Sequence, residues 1–221
     1  MASNAAGTVS SKLSLGLLNF ILAVISGWAL KHYSIERHAL AGYGLFFAHS
    51  VLCILRYTHP NPGQVQRRIC EQSLRYSPAI FVTLIIGQMQ SISGELEFFA
   101  GIAKWRHIVL TLYGGVLVLS GIRRCLSEKS SLGQLLGKLL RLNHTVCVLW
   151  NIYCLWRIAV LDEHWWSLGL ALLVLLNHFV LWRLTLRFNI STLEVDTVGM
   201  CFSLIFAINA SQELMENTAG R

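Results

Sequence analysis

Seven apolar stretches, most of them 16 to 20 residues long, fill the chain from Leu13 to Asn209. A helix needs roughly 20 apolar residues to cross a ~30 Å hydrocarbon core, and soluble cores do not string such segments together with so little between them. The stretches run Leu13 to Leu30, His38 to Leu55, Pro78 to Ser93, Ile108 to Ile122, Thr145 to Leu161, Trp165 to Leu184 and Thr192 to Asn209. Two are weaker than the rest. The third carries Gln88 and Gln90 near its end, and the seventh becomes purely apolar only at Val198. Charged residues make up 13% of the 221, hydrophobic ones 54%, and the mean hydropathy is +0.55. Soluble domains are about 25% charged, so this chain lacks the charge for a soluble surface and lipid must cover much of it. Such spans satisfy their backbone internally as helices. The expected fold is all-α, a polytopic transmembrane helical bundle of about seven spans (six to seven). It forms a single domain over residues 1–221, because the segments before Lys12 and after Ser211 are too short to fold alone.

The formal net charge of +7 would raise nucleic acid as a partner in a soluble protein. Here the basic residues flank apolar spans, where membrane orientation and anionic headgroups account for them, and no nucleic acid is expected. One side collects twelve: Lys12, Arg56, Arg67, Arg68, Arg75, Arg123, Arg124, Lys129, Lys138, Arg141, Arg183 and Arg187. The other collects five, Lys31, Arg37, Lys104, Arg106 and Arg221, while Arg157 falls within a span. The richer side is expected to face the cytoplasm, with the amino terminus inside and the carboxy terminus outside. Lys12 followed by an apolar run ending near Gly27 and Ala29 also resembles a cleavable signal peptide, but the run is long for one, and an uncleaved span is expected. The sequons at Asn143, Asn189 and Asn209 then lie on the cytoplasmic side or at a span end and should carry no glycan.

The second, fourth and sixth spans echo one another: each opens on a charged residue and His, holds a glycine in its first half and closes on Arg. A threefold hairpin duplication would explain this, as would flanking features common to many spans.

Polar groups at membrane depth are costly and are the first place to look for function. His49, Asn151, Arg157, Asn177 and His178 form the candidate intramembrane set, with Asn19, Gln88 and Gln90 as lesser members. Each of these could hydrogen-bond a neighbouring helix, or the set could line a polar path. Arg157, near Asp162 and Glu163, could instead snorkel to the interface. His49 and His178 would bind haem only if they faced each other across one cavity; His38 and His107 lie too near span ends to make a second pair. No cofactor and no metal site is expected. The six cysteines form no C-x-x-C pair, the spacing of zinc and redox motifs. Cys70 and Cys125, beside arginines near span ends, are candidates for palmitoylation or simply free thiols.

Catalytic signatures are missing: no G-x-S-x-G, H-E-x-x-H, histidine box or phosphate loop occurs, and an enzyme is not expected. Acidic residues avoid the strong apolar runs, whereas proton-coupled carriers keep a carboxylate at mid-membrane. The three prolines, Pro60, Pro62 and Pro78, offer little for the broken helices of many transporters. Gly114-Gly115 could loosen the fourth span.

Between spans, Ser131–Leu142 places Leu132, Leu135, Leu136, Leu139 and Leu140 on one helical face, with Gln134, Lys138 and Arg141 opposite. This predicts a short amphipathic helix within a cytoplasmic loop. It would lie in the interface with Lys138 and Arg141 toward anionic headgroups, or pack on the bundle as a cap. The function expected is that of a multi-pass endomembrane protein, endoplasmic reticulum over plasma membrane, of structural, scaffolding or accessory type. Its partners would be the lipid bilayer, anionic lipid headgroups and other membrane proteins. The alternative is a small-solute transporter or channel with a path lined by the five polar residues, and a membrane haem protein comes third.

Overall fold

A computed structural model describes residues 2–33, 37–59, 62–92, 111, 114, 115, 118, 131–188 and 191–219. These residues are 96% helical and include no strand. Helices α1 (Ala2–Tyr33), α2 (Arg37–Thr58) and α3 (Gln64–Ile92) precede α4 (Ser131–Asp162). A rod then follows: α5 (Trp165–Leu175), a π-helical segment (Leu176–Leu181) and α6 (Trp182–Phe188). The last helix is α7 (Thr192–Ala219). The fourth expected span, Ile108 to Ile122, lies outside the described residues apart from four helical positions, as do Cys125 and Asn189; the proposed threefold echo loses its middle member with it.

Three of the described helices are long and apolar enough to cross a membrane: Lys12–Tyr33, Arg37–Thr58 and Thr192–Asn217, with Trp165–Leu181 as a shorter apolar helix. Seven spans are therefore not confirmed. The shortfall has a physical cause. Helix α3 begins with a charged turn at Arg67, Arg68 and Glu71, and α4 carries Asn143, His144, Asn151 and Arg157. Both dilute an apolar span that protein contacts partly replace: every residue from Phe81 to Met89 is buried. The seventh stretch, weak in sequence, becomes one of the three long apolar helices.

Many large apolar side chains are exposed, and the interior admits polar and small residues beside its apolar core, as expected where lipid replaces water and helices associate by close packing. On α1, Leu13, Leu17, Phe20, Ile21, Val24 and Trp28 are exposed, while Asn19, Leu22, Ser26 and Ala29 are buried. Register between helices follows from side-chain pairs. Helices α2 and α3 are antiparallel, with Phe46 stacked on Phe81 at 4.1 Å and Arg56 paired with Glu71 at 3.2 Å. Helices α3 and α4 are parallel: Tyr76 meets His144 and Thr83 meets Asn151, the same offset of 68 residues at both contacts. Helix α7 runs antiparallel to α5, its Glu213 reaching the amides of Trp165 and Trp166 at 3.2 Å each. Its Gln212 donates to the Tyr33 hydroxyl at 2.8 Å, so the carboxy ends of α1 and α7 share one end of the bundle.

The Ser131–Leu142 segment is helical, as its leucine spacing requires, but it is no separate element. It is the first part of α4, continuous through Asp162. The leucine face divides: Leu140 is buried and Leu136 half-buried against the bundle, while Leu135 and Leu139 are more than half exposed. The stripe therefore belongs partly to the packed interior and partly to the exposed surface of one long helix.

Candidate functional site

The two departures from regular α-helix face the same space. Pro78 in α3 has no amide hydrogen, which removes the donor for the Leu74 carbonyl one turn back. Across from it, the rod leaves α geometry for the π segment holding Asn177 and His178; such segments are frequent at functional sites. Leu74, Pro78, Asn177 and His178 all line a cavity of about 720 Å³, together with residues of α4 and α7. That volume is within the ~300–1,000 Å³ typical of small-ligand sites.

The cavity is graded. Arg75 and Arg141, both exposed, stand one near the start of the α3 wall and one on the α4 wall. Seven residues further along each helix, about 10 Å at 1.5 Å per residue, the lining is Val82 and Val148, buried to 1% and 2% exposure. Val174 and Met200 continue the apolar lining from the rod and α7. The polar complement is His144, His178, Asn177, Thr145, Ser203 and Asp196. The His144 and His178 rings pack edge to face with centroids 5.2 Å apart, and Tyr76 packs edge-on against His144 at 5.5 Å. Asn177 fits because α7 offers a glycine: a Cβ on Gly199 would lie 2.6 Å from the Asn177 carboxamide. The buried Asn177 Oδ1 has no hydrogen-bond partner among the described residues.

Of the five polar residues singled out by depth, the structure brings two, Asn177 and His178, into this cavity. The other three serve elsewhere. His49 Nδ1 lies 2.8 Å from Ser73 Oγ, which lies 3.0 Å from Ser77 Oγ, and Cys53 Sγ is 3.7 Å from His49 Nε2. Asn151 Nδ2 donates to the Ala79 carbonyl at 3.0 Å, and the Thr83 hydroxyl lies 3.1 Å from its Oδ1. Arg157, half-buried on α4, lies 16 residues beyond Arg141, about 24 Å along the helix. His49 and His178 have different neighbours, so the facing pair that a haem would need is not formed by them. Among the described residues, no group of three or more His, Cys, Asp or Glu side chains could hold a metal ion.

Arg75, His144, Asp196 and Ser203 were missed by depth alone, because the first three sit at span ends. Pro78 was the one sequence signal near them, while nothing in the run LLNHFVL marks a π segment. Of the two predicted surface cations, Arg141 lines the cavity, its Nε also donating to the Gly137 carbonyl at 3.3 Å, and Lys138 is exposed outside it. Cys70 is only 2% exposed; the Cys53 thiol and the Arg56 guanidinium hold its own thiol below the usual range.

The chain matches no family model, no curated protein and no solved structure.

Proposed function

We propose that this is a multi-pass membrane protein of accessory or scaffolding type, without catalytic activity, residing in an endomembrane such as the endoplasmic reticulum. It works by presenting helix faces to lipid and to other membrane proteins. The observation that carries this is the dispersal of the deep polar groups. His49 and Asn151 are taken up by separate contacts between α2 and α3 and between α3 and α4, and Arg157 lies far along α4. Neither His49, Asn151 nor Arg157 lines the cavity that holds Asn177 and His178. The outward side chains on α1 and α4, among them Trp28, Tyr153 and Trp156, supply large apolar and aromatic contact area of the kind that anchors partners. Purification in mild detergent is expected to recover a second membrane protein in fixed ratio. Recovery of the chain alone, from the membrane in which it resides, would count against the scaffold.

A small-solute carrier is the second reading, favoured by the cavity at Asn177 and His178. It predicts flux into liposomes that Asn177→Leu stops without unfolding the protein; the accessory role predicts no flux.

A further inference from the structure

We infer that the cavity between α3, α4, the π segment and α7 binds an anionic amphiphile, with a phosphate-type headgroup at Arg75 and Arg141 and an apolar chain along Val82, Val148 and Met200. This holds whether the protein is a scaffold or a carrier. Three features of the site specify the ligand.

Charge comes first. Two guanidiniums and one carboxylate, Asp196, line the space, which leaves one positive charge in excess when the two imidazoles are neutral. A phosphodiester monoanion balances it. Arginine suits the task because its planar fork of donors matches the oxygens of phosphate.

Polarity comes next. The exposed cations stand at Arg75 and Arg141, and the lining two turns further along both helices is apolar and buried. A free inorganic anion would use the first part and leave the rest as an unfilled apolar space. A headgroup attached to an acyl chain uses both. The side walls add hydrogen-bonding capacity without charge: the unpartnered Asn177 Oδ1 can accept from a glycerol hydroxyl.

Access comes last. This chain presents apolar helix faces to lipid, and the exposed Arg75 and Arg141 stand in the cavity wall formed by α3 and α4. Diacyl phospholipid is therefore the abundant amphiphile beside them, and anionic headgroups are drawn to such cations.

The test uses the full chain in detergent, offered phosphatidylglycerol and phosphatidylcholine of equal chain length in equal amount, with retained lipid counted by native mass spectrometry. Phosphatidylglycerol should be retained about tenfold over phosphatidylcholine, a conservative figure for two cations beside one anionic headgroup. The double variant Arg75→Gln/Arg141→Gln should reduce that preference to near unity, and Lys138→Gln, which removes an exposed cation of the same helix outside the cavity, should preserve it. Soluble glycerol phosphate and inorganic phosphate should leave the melting temperature unchanged where phosphatidylglycerol raises it. Equal retention of the two lipids by the unaltered protein overturns the inference, and this comparison stands even if the double variant does not fold. Loss of preference in Lys138→Gln equal to that in the double variant also overturns it, by making the effect one of general surface charge. A rise in melting temperature with inorganic phosphate as large as with the lipid overturns the amphiphile in favour of a free anion.

Discussion

Asn151 shows how a carboxamide is kept inside this bundle. Its amide meets the Ala79 carbonyl and the Thr83 hydroxyl of the neighbouring helix, so nothing polar is left facing hydrocarbon. Interhelical hydrogen bonds of this kind contribute modestly, because the separated helices also find partners in the membrane. Replacing Asn151 with Leu should therefore lower stability by only about 0.6 kcal/mol, and not more than ~1.7 kcal/mol, measured by unfolding in mixed micelles. Gly169 should be less forgiving. A Cβ there would press into the Phe206 ring, which is itself packed edge-on to Trp166 at 5.4 Å. Gly169→Ala should cost about 1–3 kcal/mol, as overpacking of a filled core does. At this scale the sequence revealed which polar residues sit deep, since His49 and Asn151 are each 1% exposed. It did not reveal their partners, because those depend on a register between helices that lie far apart in the chain.

Helices were legible wherever apolar length was strong, at α1, α2 and the rod. Their irregularities were not. The π segment sets Asn177 against Gly199 of α7, and no local residue preference announces it. The division expected between an interfacial helix and the fifth span is absent: Ser131–Asp162 contains no proline, and its glycines, Gly133 and Gly137, are both held in the helix. The start of α5 was equally hidden. His164 stands at its N-cap without a side-chain cap, and Glu213, distant in sequence, accepts from the first two amides instead. A carboxylate at a helix start satisfies orphan donors and opposes the helix dipole. Glu213→Ala should cost about 1 kcal/mol, within the 0.5–2 kcal/mol range known for lost caps. The loss should appear as faster amide exchange at Trp165 and Trp166 before any global unfolding.

For the whole molecule, the pairings between helices sort their ends into two groups. The middle of α3, the first half of α4 and the start of α7 meet at the cavity, with Arg75 and Arg141 in its wall. The ends of α1 and α7 meet at the opposite pole, where Tyr33 bonds Gln212 and His164 contacts Asn217. Loop charge alone leads to an expectation of such a division, twelve basic residues against five, of which Lys104, Arg106, Arg123, Arg124, Lys129 and Arg221 lie outside the described residues. Charge counting uses flanks that are local in sequence, whereas the apolar character of α3 and α4 is diluted by polar groups such as Asn151, which bonds within the bundle. We propose that the protein spans the bilayer with its cavity end in the cytoplasm. This orientation is tested most directly with single cysteines at Arg68 and Glu216, exposed at opposite poles, in a background where Cys125 and Cys201 are serine. The remaining cysteines are each no more than 2% exposed. In sealed vesicles of known orientation, a membrane-impermeant maleimide should label Arg68→Cys only from the cytoplasmic side and Glu216→Cys only from the other. Labelling of both from the same side would mean that no bilayer lies between the two poles.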